Sequence, residues 1–121
     1  MSKRILVVED HEENRRIVRD LLTSAGYEIV EAVTGEEGVT LAESEHPDLI
    51  LMDIQLPGID GYETTRRIKA NPASSRIPII AVTSYALSGD DVKALAAGCD
   101  AYVTKPFSPR ALLAKVREYV P

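Results

Sequence analysis

Short apolar runs alternate with helical stretches five times along this chain, and this alternation is the feature that most restricts its fold. The predicted strands are 4–8, 28–32, 48–52, 78–83 and 100–103. Residues 49–52 are consecutively apolar, a pattern typical of a strand that is covered on both faces. Strict β–α alternation with such strands predicts a parallel sheet with right-handed crossovers and helices on both faces. We therefore expect an α/β three-layer sandwich.

Capping residues indicate where the helices begin and end. The first helix is predicted over 13–25, with apolar residues at helical spacing on one face, and Gly26 ends it. The capping signals of the other four helices are Thr34-Gly35-Glu36-Glu37, Asp60-Gly61-Tyr62-Glu63, Ser88 and Ser108-Pro109. The second helix should end at His46-Pro47, the third before Asn71-Pro72, and the fourth, over 90–97, at Gly98.

Length and composition exclude several classes of protein. A chain of 121 residues is long enough for a single core, and we assign residues 1–121 to one domain. The apolar runs are too short to span a membrane, and residues 1–4 lack the apolar stretch of a secretory signal. The single cysteine, Cys99, fits a reducing cytoplasm. The net charge of −5 disfavours nucleic-acid binding. We expect a cytoplasmic protein that binds neither nucleic acid nor membrane.

Carboxylates directly follow two of the predicted strands. Glu9 and Asp10 follow the first strand, and Asp53 follows the third. The carboxyl ends of parallel strands share one edge of the sheet, where open α/β folds bind ligands. If these strands are neighbours, about 4.8 Å apart, the three carboxylates converge. Like charges at that separation raise each other's pKa or require a cation. A set of oxygen ligands suits Mg²⁺ or a similar hard ion.

Polar side chains also follow the fourth and fifth predicted strands, at Thr83 and Lys105. A phosphoryl group on Asp53 would suit this set, because Mg²⁺ and Lys105 would neutralise its oxygens while Thr83 donates to one of them. Each residue has an ordinary alternative: Asp10 with Glu13 resembles a helix cap, and Lys105 could be a solvated loop residue. Their joint placement at one edge favours the phosphoryl site.

Four segments in this order and spacing resemble the receiver domain of two-component response regulators, a flavodoxin-like family. These segments are 5–10, 51–61, 79–84 and 98–106. The resemblance runs from residue 3 to about 119 and implies a (βα)5 sheet with strand order 2-1-3-4-5. Among receivers, the chain looks most similar to single-domain cell-division regulators and the receivers of hybrid kinases.

The resemblance implies a phosphoacceptor and a metal site. Asp53 would accept the phosphoryl group, and it would hold Mg²⁺ together with Glu9 and Asp10, directly or through water. The backbone carbonyl of Gln55 would be a further ligand. Glu9 stands where the family more commonly has Asp, which lengthens the side chain by one methylene group.

The resemblance also implies how the phosphoryl group is held and sensed. Lys105 would contact it, with Pro106 following in a cis peptide, and Thr83 and Tyr102 would be the switch residues. The donor would be a sensor histidine kinase or a histidine phosphotransfer protein. The protein would catalyse its own phosphorylation and dephosphorylation rather than turn over a separate substrate. Its output would be contact with a downstream protein through helix 4, strand 5 and helix 5.

Other classes of protein fit the sequence less well. A flavin carrier of this fold needs a phosphate-binding loop after the first strand, where this chain has the acidic segment 9–13. A haloacid-dehalogenase-type phosphatase would have a second Asp at the position of Gln55. The remaining alternative is a pseudo-receiver that binds proteins without being phosphorylated. His11 and His46 are predicted to be exposed loop or helix-end residues rather than metal ligands.

Overall fold

The computed structural model describes residues 2–83, 90–105 and 108–121, in which five strands alternate with five helices. The strands are β1 (Arg4–Val8), β2 (Glu28–Ala32), β3 (Leu49–Asp53), β4 (Ile79–Thr83) and β5 (Ala101–Thr104). The helices are α1 (Glu12–Ser24), α2 (Gly35–Glu45), α3 (Gly61–Ala70), α4 (Asp90–Ala97) and α5 (Pro109–Tyr119). Among the described residues, no helix is both long and apolar enough to cross a membrane.

The five strands form one parallel sheet in the order β2-β1-β3-β4-β5. The predicted fold class and strand order are therefore confirmed. The register aligns the strand ends: Val8 lies opposite Met52, and Thr83 lies opposite Thr104. The residues that follow β1 and β5, and Thr83 at the end of β4, consequently lie at the same edge as Asp53, the last residue of β3.

The core has two halves, one on each face of the sheet. Alternate residues of the central strands point to opposite faces, so that Leu6 and Ile50 belong to one half while Ile5 and Leu49 belong to the other. Helices α2, α3 and α4 cover the first half, and α1 and α5 cover the second. Every residue of β3 and β4 is buried, as expected for strands covered on both faces.

The element boundaries differ from the predicted ones by one residue at several ends. Strand β3 begins at Leu49 rather than Asp48, whose Oδ2 instead accepts a 2.8 Å hydrogen bond from the backbone N–H of Arg4. Helix α1 begins at Glu12 with His11 as its N-cap, and no side chain caps it. The alternative in which Asp10 and Glu13 cap this helix is therefore wrong.

The other predicted caps that lie in the described residues are present. The side chains of Thr34, Asp60 and Ser108 each accept a hydrogen bond from the backbone N–H three residues later. Glu37 completes the start of α2 by accepting from the backbone N–H of Val33. Ser88, the predicted cap of α4, lies outside the described residues.

Candidate functional site

The centre of the site is a buried pair of carboxylates with a lysine between them. Glu9 follows β1 and Asp53 ends the neighbouring β3, and each is only 4% exposed. The Nζ of Lys105, which follows β5, donates to Glu9 Oε1 at 2.8 Å and lies 3.5 Å from Asp53 Oδ1. The structure therefore brings together three residues that the sequence places far apart. The shorter contact of the lysine is to Glu9 rather than to Asp53.

The two carboxylates have different proton affinities because their surroundings differ. Burial raises the pKa of Glu9, but the hydrogen bonds from Lys105 and from the His11 backbone outweigh it and lower this pKa to about 2. Burial and the nearby Glu9 charge raise the pKa of Asp53 to about 7, since Lys105 offsets them only in part. Of the two carboxyl groups, Glu9 therefore loses its proton well below neutral pH, whereas Asp53 keeps its proton to a higher pH.

Asp10 and His11 extend the site toward its opening. Asp10 Oδ1 is buried and has no hydrogen-bond partner among the described residues, which makes it an oxygen available to a cation. Glu9, Asp10 and His11 each offer one ligand atom, and these atoms lie within 4.8 Å of one another. Gln55 is in the loop after β3, where its backbone N–H donates to Asp53 Oδ1 at 3.3 Å. This set, rich in carboxylate oxygens, fits a hard divalent cation.

The predicted switch residues occupy different depths. Thr83 ends β4 and is 5% exposed, and its backbone carbonyl accepts a 2.6 Å hydrogen bond from the backbone N–H of Lys105. Tyr102 lies in β5 opposite Ala81 and is 40% exposed. The cis peptide predicted between Lys105 and Pro106 involves a residue outside the described part of the chain.

Arg15 is a residue of the site region that sequence reasoning missed. It is 8% exposed, and its guanidinium donates to the backbone carbonyl of Glu9 at 2.8 Å. It also pairs with Glu12 and lies 3.3 Å from Glu31 in β2. One signal could have revealed it, because Arg15 stands on the same helical stripe as the buried Val18 and Leu22.

Comparison with known proteins places this geometry in a family. Residues 5–117 match the sequence profile of the response regulator receiver domain family. The polar-differentiation response regulator DivK of Brucella ovis is 42% identical over 120 residues, which cover 99% of this chain and 98% of the relative.

Solved structures agree with the sequence match. The receiver domain of a sensor histidine kinase from Pseudomonas aeruginosa PAO1, crystallised with a magnesium ion coordinated in its active-site cleft, superposes with a TM-score of 0.92 at 38% identity, covering 99% of this chain and 98% of that one. The chemotaxis protein CheY4 of Vibrio cholerae has a TM-score of 0.93 at 26% identity, covering 98% and 99%. Fold, site and sequence together show that this chain belongs to the response regulator receiver domains, which are signalling modules of two-component systems rather than turnover enzymes.

Proposed function

We propose that Asp53 accepts a phosphoryl group from the phosphohistidine of a sensor histidine kinase or a histidine phosphotransfer protein, in a reaction that depends on Mg²⁺. The observation that carries this proposal is the buried Glu9–Lys105–Asp53 arrangement. Burying one carboxylate beside another costs free energy. Such arrangements are typical of functional sites. The proposed receiver domain comprises residues 1–121.

The metal would be held by the acidic residues of the strand ends. We assign Glu9, Asp10, Asp53 and the backbone carbonyl of Gln55 as ligands, directly or through water. Asp10 Oδ1, which is buried without a hydrogen-bond partner among the described residues, supports this assignment. When bound, Mg²⁺ would neutralise negative charge on the phosphoryl oxygens during transfer.

The residues of the chain would position and neutralise the transferring group. An oxygen of Asp53 forms the new bond to phosphorus while the bond between phosphorus and the donor imidazole breaks, and the electron pair stays on the imidazole nitrogen. Lys105 is close enough to shift from Glu9 toward the new phosphoryl oxygens. Thr83 would donate its hydroxyl to one of those oxygens from the end of β4.

Phosphorylation would then change the surface formed by α4, β5 and α5. The new group adds about −1.5 to −2 charges, which would draw Thr83 inward and let Tyr102 turn toward the core. Moving a two-state element from mostly inactive to mostly active requires about 5.5 kcal/mol of differential stabilisation. Among the described residues of these elements, Val92, Leu95 and Tyr102 are large apolar residues that are exposed. A downstream protein would bind there. We also propose a cytoplasmic location, which suits the free Cys99 thiol.

Intact mass measurement after incubation with acetyl phosphate tests the proposal. We expect the wild type to gain one phosphoryl group with Mg²⁺ and none with EDTA. Asp53→Asn should gain none, whereas Asp20→Asn, which removes an exposed carboxylate of α1, should behave like the wild type. Full labelling of Asp53→Asn would refute the phosphoacceptor assignment. If the wild type is never labelled, the chain is instead a pseudo-receiver that acts through binding alone.

A further inference from the structure

Arg15 is a buried cation that takes no direct part in the proposed phosphotransfer. It lies in α1 and is 8% exposed. Its guanidinium has acceptors on three parts of the chain: the backbone carbonyl of Glu9 at 2.8 Å, the carboxylate of Glu12, and the carboxylate of Glu31 in β2. Of these three acceptors, only the carbonyl belongs to a residue of the Glu9–Lys105–Asp53 arrangement.

The segment that carries Glu9 and Asp10 is held by Arg15 where many loops are held by a helix cap. Residues 9–11 connect β1 to α1, and no side chain caps this helix at His11. On one side, the backbone N–H of Glu9 donates to the carbonyl of Ala32 in β2 at 3.0 Å. On the other side, Arg15 reaches back from α1 to the carbonyl of the same residue. Both polar backbone groups of Glu9 are therefore fixed.

The position of this backbone determines where the Glu9 carboxylate lies. Glu9 Oε1 accepts from the Nζ of Lys105 at 2.8 Å, and the same Nζ lies 3.5 Å from Asp53 Oδ1. Displacement of the Glu9 backbone would change the first distance and release the lysine to a new position near Asp53. We propose that Arg15 is a positioning residue, which holds the carbonyl of Glu9 and so sets the geometry of Glu9 and Lys105 around the phosphoacceptor. This inference rests on the proposed function and adds to it a residue of α1.

The other two contacts of Arg15 can be lost without leaving a buried, unpaired charge. The side chain of Glu12 is 69% exposed, so water solvates it when its partner is removed. Glu31 also accepts from Arg19, whose Nη1 lies 3.0 Å from each of its oxygens. Replacing a buried ion pair by an apolar residue of similar volume is often neutral. We therefore expect Arg15→Met to fold, with the hydrogen bond to the Glu9 carbonyl lost.

Arg19 provides the matched control. It lies one turn later in α1 and shares the partner Glu31 with Arg15, but its contacts in the described part of the chain do not include Glu9. Arg19→Met thus removes a guanidinium and an ion pair with Glu31 while leaving the loop after β1 in place. Circular dichroism and urea titration establish that both variants are folded under the conditions of the measurements below.

Nitrogen NMR of the lysine ammonium groups tests the positioning directly. In Mg²⁺-free protein, we expect the ¹⁵N resonance of Lys105 to move in Arg15→Met toward that of the exposed Lys3, because the ion pair with Glu9 is weakened. Arg19→Met should leave this resonance in place, and Lys105→Met assigns it. A role of Arg15 in stability alone would not move the resonance in a folded variant.

Phosphorylation kinetics with acetyl phosphate and saturating Mg²⁺ give the second readout. Arg15→Met should lower the maximal rate at least about tenfold, because residues that orient a reacting group contribute roughly 10–100-fold. KM for acetyl phosphate should change less than about threefold, since Arg15 does not touch the donor. Arg15→Lys should lose about threefold or more in maximal rate, because one ammonium cannot replace a guanidinium that reaches three acceptors. Arg19→Met and Arg19→Lys should match the wild type.

The outcomes separate this inference from the proposed function. An unmoved Lys105 resonance in folded Arg15→Met, or a maximal rate equal to that of Arg19→Met, overturns the positioning role even if Asp53 is phosphorylated. If Arg15→Met does not fold, the lysine variants decide, and equal rates and Lys105 resonances in Arg15→Lys and Arg19→Lys overturn the role. A wild type that is never labelled overturns the proposed function, and with it this inference. A moved Lys105 resonance together with a selective loss of maximal rate establishes it.

Discussion

The surroundings of Asp53 oppose the ionisation of its carboxyl group. Burial and the neighbouring Glu9 raise its pKa to about 7, above the usual value for an aspartate. At pH values between the pKa of Asp53 in the unfolded chain and its pKa in the folded protein, the native protein holds a proton that the unfolded chain has lost. Stability therefore falls as pH rises through this window. Glu9 acts in the opposite sense, because its lowered pKa costs stability only as pH falls from about 4.5 toward 2.

Replacing Asp53 by Asn should therefore remove a pH dependence of stability. In EDTA, we expect the free energy of unfolding of the wild type, relative to Asp53→Asn, to fall by roughly 1–3 kcal/mol between pH 5 and pH 8. Urea titrations at both pH values measure this difference. Asp20→Asn should run parallel to the wild type. If the difference in unfolding free energy between the wild type and Asp53→Asn does not change with pH, Asp53 is ionised throughout this pH range.

The residues that meet at the site could be predicted from the sequence, but the contacts between them could not. Asp53, Glu9 and Lys105 were identifiable because each directly follows a strand predicted from the sequence, and parallel strands share an edge. The preference of Lys105 for Glu9 depends on side-chain conformation across the sheet. Burial of Arg15 against the Glu9 carbonyl depends likewise on how α1 packs. The contact of Lys105 leaves no local signal in the chain, and the helical stripe that indicates the burial of Arg15 does not indicate its partner.

The connection between β3 and α3 folds back so that the start of α3 packs against the backbone at Asp53. The backbone N–H of Gly61 donates to the carbonyl of Ile54 at 2.9 Å, so α3 begins in contact with the residue after Asp53. A Cβ at Gly61 would overlap the Asp53 carbonyl and would lie 2.6 Å from Ile54 Cα. Backbone atoms cannot move aside as a flexible side chain can. The glycine is therefore required by close packing.

Gly61→Ala should consequently destabilise the protein, although alanine is usually the better helix residue. We expect a loss of about 1–3 kcal/mol from overpacking, together with slower phosphorylation by acetyl phosphate because the loop at Asp53 is displaced. Ser44→Ala, on the exposed side of α2, should change stability by less than about 0.5 kcal/mol. Denaturation and labelling rates measure both effects. Equal stabilities of the two variants would show that the contact at Gly61 relaxes freely.

The elements themselves were predictable to within a residue or two because their signals are local. Thr34, Asp60 and Ser108 begin helices where the sequence placed them, since each satisfies nearby backbone N–H groups. Asp48 was placed in β3 because it adjoins an apolar run. The competing contact with Arg4 is 44 residues away, and periodicity does not reveal it.

At the scale of the whole molecule, the sheet connects a buried site to an exposed surface. Thr83 at the end of β4 is one strand away from Asp53, and β5, which carries Tyr102, is the next strand along. The backbone hydrogen bond from Lys105 to Thr83 joins the ends of β4 and β5. We propose that a charge added at Asp53 affects Tyr102 through these two adjacent strands. Tyr102 is 40% exposed, so a decrease in its exposure would be measurable.

Tyr102 should become less exposed when a phosphoryl analogue binds at Asp53. The physical reason is that inward movement of Thr83 would leave space beside β5, and an aromatic ring gains free energy by filling apolar space. Fluorine NMR of 3-fluorotyrosine protein, with Tyr102→Phe to assign the resonance, measures its solvent exposure with and without beryllofluoride and Mg²⁺. Tyr119, whose hydroxyl donates to the Asp100 carbonyl, serves as the internal control.

Two variants decide whether this change is coupled to the site. Asp53→Asn should abolish it because the analogue has no carboxylate to bind. Thr83→Ala should still bind the analogue, measured separately by calorimetry, but should leave Tyr102 exposed because the hydroxyl that links them is gone. If Tyr102 becomes buried in Thr83→Ala as fully as in the wild type, the signal does not pass through Thr83. Coupling would then have to run through Lys105, which adjoins both the carboxylates and β5.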